Sequence, residues 1–274
     1  MSAPIRIPGP APLTGSWHRA IAPVGVAVLN GATGVPHRFY RHFANWLATE
    51  HQVSCLTYDY RGFGASADGH VRDVTATMAD WGIHDQQAAR DWVVDRSEGA
   101  PLWVIGHSLG GLMLAHQSRT DEISRIIAVC SGPVHTTDHP WPYQAKVRAL
   151  WYGLGPAAVA AFGYLPAQIS GLGSDIPGPV FRQWRRWCTA HGFEAQDQTL
   201  PAPTADLRCA LRTVGVSDDA AVPPHVARRL AHRHPNCAHE HVVLSPQRFG
   251  LKSVGHTSIF SRRSAAMWPD VIGP

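Results

Sequence analysis

The sequence predicts an α/β protein, a mostly parallel central sheet with helices on both faces, and three observations carry that reading. Six apolar, β-branched runs, "VGVAVLNG", "VSCLTYDY", "PLWVIGHS", "RIIAVCSG", "LRCALRTVGVS" and "EHVVLSP", end on glycine or polar stops, as strands buried on both sides of a sheet do. Segments with apolar residues at helical spacing separate them, and such alternation implies right-handed crossovers that cover both faces. One long stretch, residues 133–205, interrupts the alternation and reads as an insertion.

Taken in order, the first run is followed by Pro36 and then by Phe39, Phe43, Trp46 and Leu47, which fall at i, i+4, i+7 and i+8 and form one apolar helix face. Beyond the second run, Trp81, Ala88, Ala89, Trp92 and Val93 predict a helix from about Met78 to Arg96. The third run leads through a glycine-flanked serine into a helix-like segment, Leu109 to Arg119. After the fourth run, residues 133–205 are rich in Pro, Gly and Trp. They are read as a cap inserted into a core made of 1–132 and 206–274, because structureless connections of that length are uncommon in compact domains. The fifth run closes on "GVSDD" ahead of an arginine-rich helical segment, and the sixth is followed by "FGLKSVGH".

Composition bounds the function. With 274 residues, 45% of them hydrophobic, the chain buries its own core without staples. Five cysteines, odd in number and never spaced C-x-x-C, argue against a disulfide framework or a thiolate zinc site and for reduced thiols in a cytoplasm. The N-terminus lacks the apolar region of a secretion signal, and no apolar run reaches the roughly 18 residues a membrane span needs. A soluble, cytoplasmic protein without a membrane span is expected. The net charge of +4 is dispersed apart from pairs such as Arg185-Arg186 and Arg262-Arg263, too diffuse a pattern for a nucleic-acid partner.

Gly106-His107-Ser108-Leu109-Gly110 matches G-x-S-x-G. The pattern alone is weak because glycine and serine are common, but its place between an apolar strand and a helix-like segment is that of a nucleophile elbow. Such a turn strains the serine backbone, and small residues at 106 and 110 allow close approach of the flanking chain. The Leu109 amide can then face a developing oxyanion. A serine hydroxyl is a poor nucleophile without a base, so a carboxylate and a histidine should follow it in that order. Asp218 and Asp219 close the fifth strand, and Asp219, four residues before Pro223, is favoured, leaving Asp218 to brace the loop. His256 alone has the strand-glycine-histidine placement. His225, His232, His234, His239 and His241 read as surface residues.

A second oxyanion donor should lie in a loop after an early strand. "NGATG" places Ala32 there, with Thr33 as the alternative. The same G-x-x-G loop could cradle phosphate, but neither G-x-G-x-x-G nor a Walker lysine accompanies it.

With "NGATG", "DYRGFGAS", "GHSLGG", "SDDAAVPP" and "GHTSIF" in this order, the chain resembles the α/β-hydrolase family over nearly its whole length outside the inserted stretch. "GATGVPHRFYRHFANWLA", "DWGIHDQQAARDWV" and "GYLPAQISGLGSDIP" are similar to a subgroup of predicted bacterial serine hydrolases. The resemblance implies the α/β-hydrolase fold, a Ser108, Asp219, His256 triad with an oxyanion hole at Ala32 and Leu109, and no metal or organic cofactor. Many members carry His-Gly in the oxyanion loop. Asn30-Gly31 replaces it here, which leaves the local hydrogen bonding to be found.

Two further groupings have plainer readings. "AHRHPNCAHEHVV" clusters histidines and a cysteine, but across a helix end, a turn and a strand start, where H-x-H does not converge on one ion. Asp59 and Arg61 in "DYRGFG" read as a structural loop ion pair. The expected function is hydrolysis of an ester or thioester through an acyl-enzyme, on a small-molecule acyl substrate, free or carrier-bound. An acyltransferase using the same intermediate and a noncatalytic ligand-binding homologue are the alternatives. The aromatics of the insertion, Trp141, Tyr143, Trp151, Tyr152, Phe162, Tyr164, Trp184 and Trp187, either pack the cap or line an apolar cleft.

Overall fold

The structure is a computed structural model and describes residues 2–9, 11–204 and 207–274. Two strands that the apolar runs did not reveal come first: β1 (Ser2–Ile7) pairs antiparallel with β2 (Leu13–His18). They are short, and β1 carries Pro4, tolerated on a sheet edge where no ladder partner needs its missing N–H. The six expected strands then follow as β3 (Gly25–Asn30), β4 (Val53–Tyr58), β5 (Leu102–His107), β6 (Ile123–Val129) and, after the long insertion, β9 (Ala210–Val216) and β10 (Ala238–Leu244). The sheet order is β1-β2-β4-β3-β5-β6-β9-β10; β2 meets β4 antiparallel and every later pairing is parallel. This is the mostly parallel α/β-hydrolase sheet that the sequence predicts.

Side-chain alternation along β3 explains why the sheet needs cover on both sides. Val26 and Val28 join one core while Ala27 and Leu29 join the other, as a two-residue period demands. Helix α1 (Arg41–Glu50) lays Phe43, Ala44 and Leu47 on the second core, and α2 (Gln86–Val94) lays Ala89, Trp92 and Val93 on the first. The segment ahead of α2, Asp80–Asp85, is a π-helical turn and not regular α-helix.

The helix expected over Leu109 to Arg119 is absent. Two 3-10 turns, Ser108–Gly111 and Leu114–His116, stand in its place. Two adjacent glycines weaken helix propensity there, and carbonyls a helix would use are taken from outside. Gly110 O accepts Asn30 Nδ2, Leu109 O accepts Gln86 Nε2, and Ala115 O accepts the Thr204 amide.

Between β6 and β9 the chain forms α3 (Tyr143–Ala149), a π-turn (Leu150–Leu154), α4 (Gly155–Phe162), a two-strand antiparallel pair β7 (Tyr164–Leu165) and β8 (Ile176–Pro177) enclosing α5 (Ala167–Ser170), and α6 (Gly178–Thr189). The expected boundary at 205/206 lies outside the described residues. The short helices α7 (Pro224–Arg229) and α8 (Trp268–Ile272) complete the layers. Among the described residues no helix is long and apolar enough to cross a membrane.

Candidate active site

Ser108 follows the last residue of β5 with φ +55°, a left-handed conformation that costs a non-glycine residue free energy and persists only where the surroundings impose it. They do so by close packing. A Cβ on Gly106 would lie 2.4 Å from the Gly110 backbone, and one on Gly110 would lie 2.1 Å from Asn30 O, so only glycine lets β5, the serine turn and the end of β3 come together. Ser131 Oγ donates to Ser108 O at 2.6 Å and holds the turn from the β6 side.

Asp219 and His256 arrive from adjacent parallel strands, after β9 and β10. Asp219 Oδ2 lies 2.8 Å from His256 Nδ1, while Oδ1 accepts the Ala221 and Val222 amides at 2.8 and 2.9 Å. Burial pushes the Asp219 carboxyl upward, but the charge of His256 and the hydrogen bonds from His256, Val222 and Cys130 outweigh it and hold the group below its ordinary value. Asp219 is therefore an ionised acceptor at neutral pH, and Nδ1 of His256 carries a hydrogen, leaving Nε2 as the base-competent atom. Asp218 takes the other role: its carboxylate accepts the Val254 and Gly255 amides, both at 2.9 Å, and braces the loop that carries His256.

Cys130 is a participant that sequence reasoning missed. It follows the last residue of β6 with φ +49°, and its Sγ, an Asp219 carboxylate oxygen and a ring nitrogen of His256 lie within 4.8 Å of one another. Burial first and the neighbouring Asp219 next push the thiol well above its ordinary value, so it stays protonated and donates to the carboxylate.

The loop after β3 makes a bond that the sequence does not reveal. The Ala32 amide, expected in the oxyanion hole, donates to Tyr40 Oη at 2.9 Å, and Tyr40 is a core residue. Ala32 and Thr33 both line the cavity described next, and the Ala32 N–H is the one committed to Tyr40. Tyr40 Oη continues to His107 Nδ1 at 2.8 Å, and His107 Nε2 to His256 O at 3.0 Å. Asn30, where many family members carry histidine, accepts Tyr58 O–H at 2.7 Å and donates to Gly110 O at 3.2 Å, tying the loop to the serine turn. Leu109, the other expected donor, lines the cavity beside Ser108, but with only a 3-10 turn behind it there is no α-helix dipole to help it.

Ser108 and His256 line one cavity of about 260 Å³. Its floor includes Thr33, Leu109 and Leu112, and the β6–β9 segment supplies Tyr143, Val147, Trp151, Trp184 and Trp187. Among the described residues no Asp, Glu, Lys or Arg lines it. The aromatics of the insertion thus divide: these four face the cavity, whereas Trp141, Tyr152 and Phe162 are exposed. Tyr164 meets the His70 ring.

Other sequence readings fare differently. Asp59 and Arg61 are structural but not paired with each other. Asp59 accepts the His37 and Ala65 amides, and Arg61 Nε meets Asp85 at 2.6 Å. His239 and His241 both bond Thr213 Oγ1 across β9 and β10. His234, read as surface, is 2% exposed.

Comparison with known proteins agrees with this architecture. A family model described as the alpha/beta hydrolase family matches residues 26–250. No curated protein matches the chain. Among solved structures, the alpha/beta hydrolase GrgF from Penicillium sp. sh18 is similar with a TM-score of 0.62 at 14% identity, over 99% of this chain and 97% of that one. A putative hydrolase from Agrobacterium vitis S4 gives 0.61 at 16%, over 99% and 97%. A thermophilic esterase from Thermogutta terrifontis gives 0.56 at 15%, over 95% and 94%. At these identities the likeness is one of fold.

Proposed function

The chain belongs to the alpha/beta hydrolase family, and from that premise we propose that it is a serine hydrolase cleaving a carboxylic ester or thioester through an acyl-enzyme. The observation that carries this reading is the Asp219–His256 hydrogen bond at the wall of the cavity that Ser108 also lines. In the proposed reaction Ser108 Oγ attacks the acyl carbon as His256 Nε2 takes its proton, and Asp219 keeps the imidazole in the required tautomer. The amides of Leu109 and Thr33, the latter in place of Ala32, receive the oxyanion. Collapse expels the alkoxide or thiolate, which leaves with the proton from His256. Water, deprotonated by the same imidazole, then releases the acid and regenerates Ser108.

Residues 133–205 act in this proposal as the cap over a core of 1–132 and 206–274. Their aromatic lining, without a charged side chain to meet a charged acyl group, selects neutral, apolar acyl chains, since an unpaired charge placed there loses its hydration without compensation. A cavity of about 260 Å³ sits just below the range typical of drug-sized ligands, which favours short and medium chains.

The test is intact mass after fluorophosphonate treatment, followed by hydrolysis of matched oxo- and thioesters of graded length. One adduct on wild type and none on Ser108→Ala is the expected result. No adduct on wild type, or an equal one on the variant, would reject the activated serine and leave a noncatalytic binding protein.

A further inference from the structure

The outer face of the α3–α4 helical run is the part of the surface that the catalytic reading does not use. From Tyr143 to Phe162 the chain is helical without a break, a length of about 30 Å at 1.5 Å per residue. Its inner side supplies Tyr143, Val147, Leu150 and Trp151 to the cavity. Away from the cavity the run leaves large apolar groups in water: Tyr152 and Leu154 are each 58% exposed and Phe162 47%, with Trp141, just ahead of α3, at 75%. A soluble helix normally turns charged residues outward, and large apolar side chains left in water along one helical run mark an interaction site.

Charge identifies the partner. Between Asp138 and Asp175 the sequence contains no Asp or Glu, and its only charged residues are Lys146 and Arg148, both exposed on α3. Arg185 adds a third cation, its guanidinium 5.8 Å from the Tyr152 ring centre. Aromatic and aliphatic side chains flanked by cations, with no carboxylate among them, are the composition of a helix that lies in the headgroup region of a membrane and is drawn there by anionic lipid. A second copy of this chain fits less well. A two-fold contact is self-complementary, and across this face it would set Lys146 and Arg148 against each other with no acid from the segment between them.

We propose that this helical run docks the protein on an anionic bilayer surface, with Trp141, Tyr152, Leu154 and Phe162 entering the headgroup layer and Lys146 and Arg148 meeting lipid phosphate. The cavity that the same helical run lines would then receive apolar molecules from the lipid. The docking stands on its own observation and does not require Ser108 to be a nucleophile.

Flotation with vesicles of phosphatidylcholine alone, and of phosphatidylcholine with about one third phosphatidylglycerol, tests it on wild type and on Ser108→Ala, so that failure of docking is separable from failure of catalysis. Two surface cations supply roughly a 30-fold preference for the anionic vesicles. Lys146→Glu/Arg148→Glu should abolish that preference. Tyr152→Ser/Leu154→Ser should lower binding to both vesicle types at least tenfold with an unchanged melting temperature. No flotation of wild type with anionic vesicles would overturn the proposal. So would a dimer in light scattering that the Tyr152→Ser/Leu154→Ser pair dissolves while vesicle binding persists, because the face would then belong to a second copy.

Discussion

Replacing each of the two neighbouring carboxylates by its amide separates orientation of the base from support of its loop. In Asp219→Asn, the side-chain oxygen can go on accepting the Ala221 and Val222 amides, which sit at 2.8 and 2.9 Å. The new NH2 group then replaces Oδ2, 2.8 Å from His256 Nδ1. A donor there requires a lone pair on Nδ1, so the ring hydrogen moves to Nε2, and the nitrogen that should take the serine proton already holds one. Loss of the tautomer costs about 10⁴-fold in kcat, about 5 kcal/mol of transition-state stabilisation, with the fold intact. Asp218→Asn removes the negative charge from an exposed carboxylate that accepts two amides at 2.9 Å. One of the two bonds is lost, at a cost of about 1 kcal/mol, which lowers the melting temperature by roughly 2–4 °C and kcat by less than about tenfold. The assay is p-nitrophenyl ester turnover alongside thermal melting of both variants. Equal losses of kcat in the two, or Asp219→Asn within about tenfold of wild type, would refute the assignment of roles.

Three further outcomes are expected. Burial of His234, and then the charge of Arg233, pushes its imidazole down to about 4, so the folded state refuses a proton that the unfolded chain accepts below about 6.5; stability is lost as pH falls from that value towards 4. Urea unfolding at pH 8 and pH 5 should show His234→Leu sparing about 2 kcal/mol of the wild-type loss between the two, and parallel losses would contradict the burial argument. Gly110→Ala would place a methyl 2.1 Å from Asn30 O. Because the obstacle is backbone, the serine turn must shift, and about 1–3 kcal/mol of stability and at least about 100-fold in fluorophosphonate labelling rate should go with it; normal labelling would show that the close approach is dispensable. Val147→Trp fills the cavity from α3 and should cut kcat/KM for octanoyl esters at least about tenfold while acetyl ester turnover stays within about twofold. Equal losses on both esters would place the acyl chain elsewhere.

Much of the fold is legible because parallel strands buried on both faces leave unmistakable apolar runs, and all six that the sequence contains became strands. The hairpin β1–β2 hides because Pro4 and Gly15 break the pattern of two short strands. The candidate site was legible where chemistry fixes position along the chain: Ser108 between glycines that touch other backbone, Asp219 just past the end of β9, and His256 in the loop that follows the neighbouring β10. It was illegible where a role depends on contacts that only the folded chain creates. Nothing local marks Tyr40, 67 residues from the imidazole it meets, or Cys130, whose thiol matters only because β6 and β9 are adjacent. The missing helix after Ser108 has the same origin, since Asn30 and Gln86 claim its carbonyls from afar.

These long-range contacts combine into one directional chain. The carbonyl of His256 can only accept, so Nε2 of His107 must carry the hydrogen of the bond between them. Burial, and then the charge of His256, pushes the His107 imidazole down to about 3, so the ring is neutral and its Nδ1 is a lone pair. Tyr40 must therefore donate its hydroxyl hydrogen to Nδ1, and its oxygen is left to accept the Ala32 amide. Each donor in the chain is committed by the one before it. The residue next to Ser108 thus pins the backbone of His256 on one side and the loop after β3 on the other. The Ala32 amide that the motif selects is thereby committed to Tyr40, which is why the proposed reaction gives the oxyanion to the amides of Leu109 and Thr33.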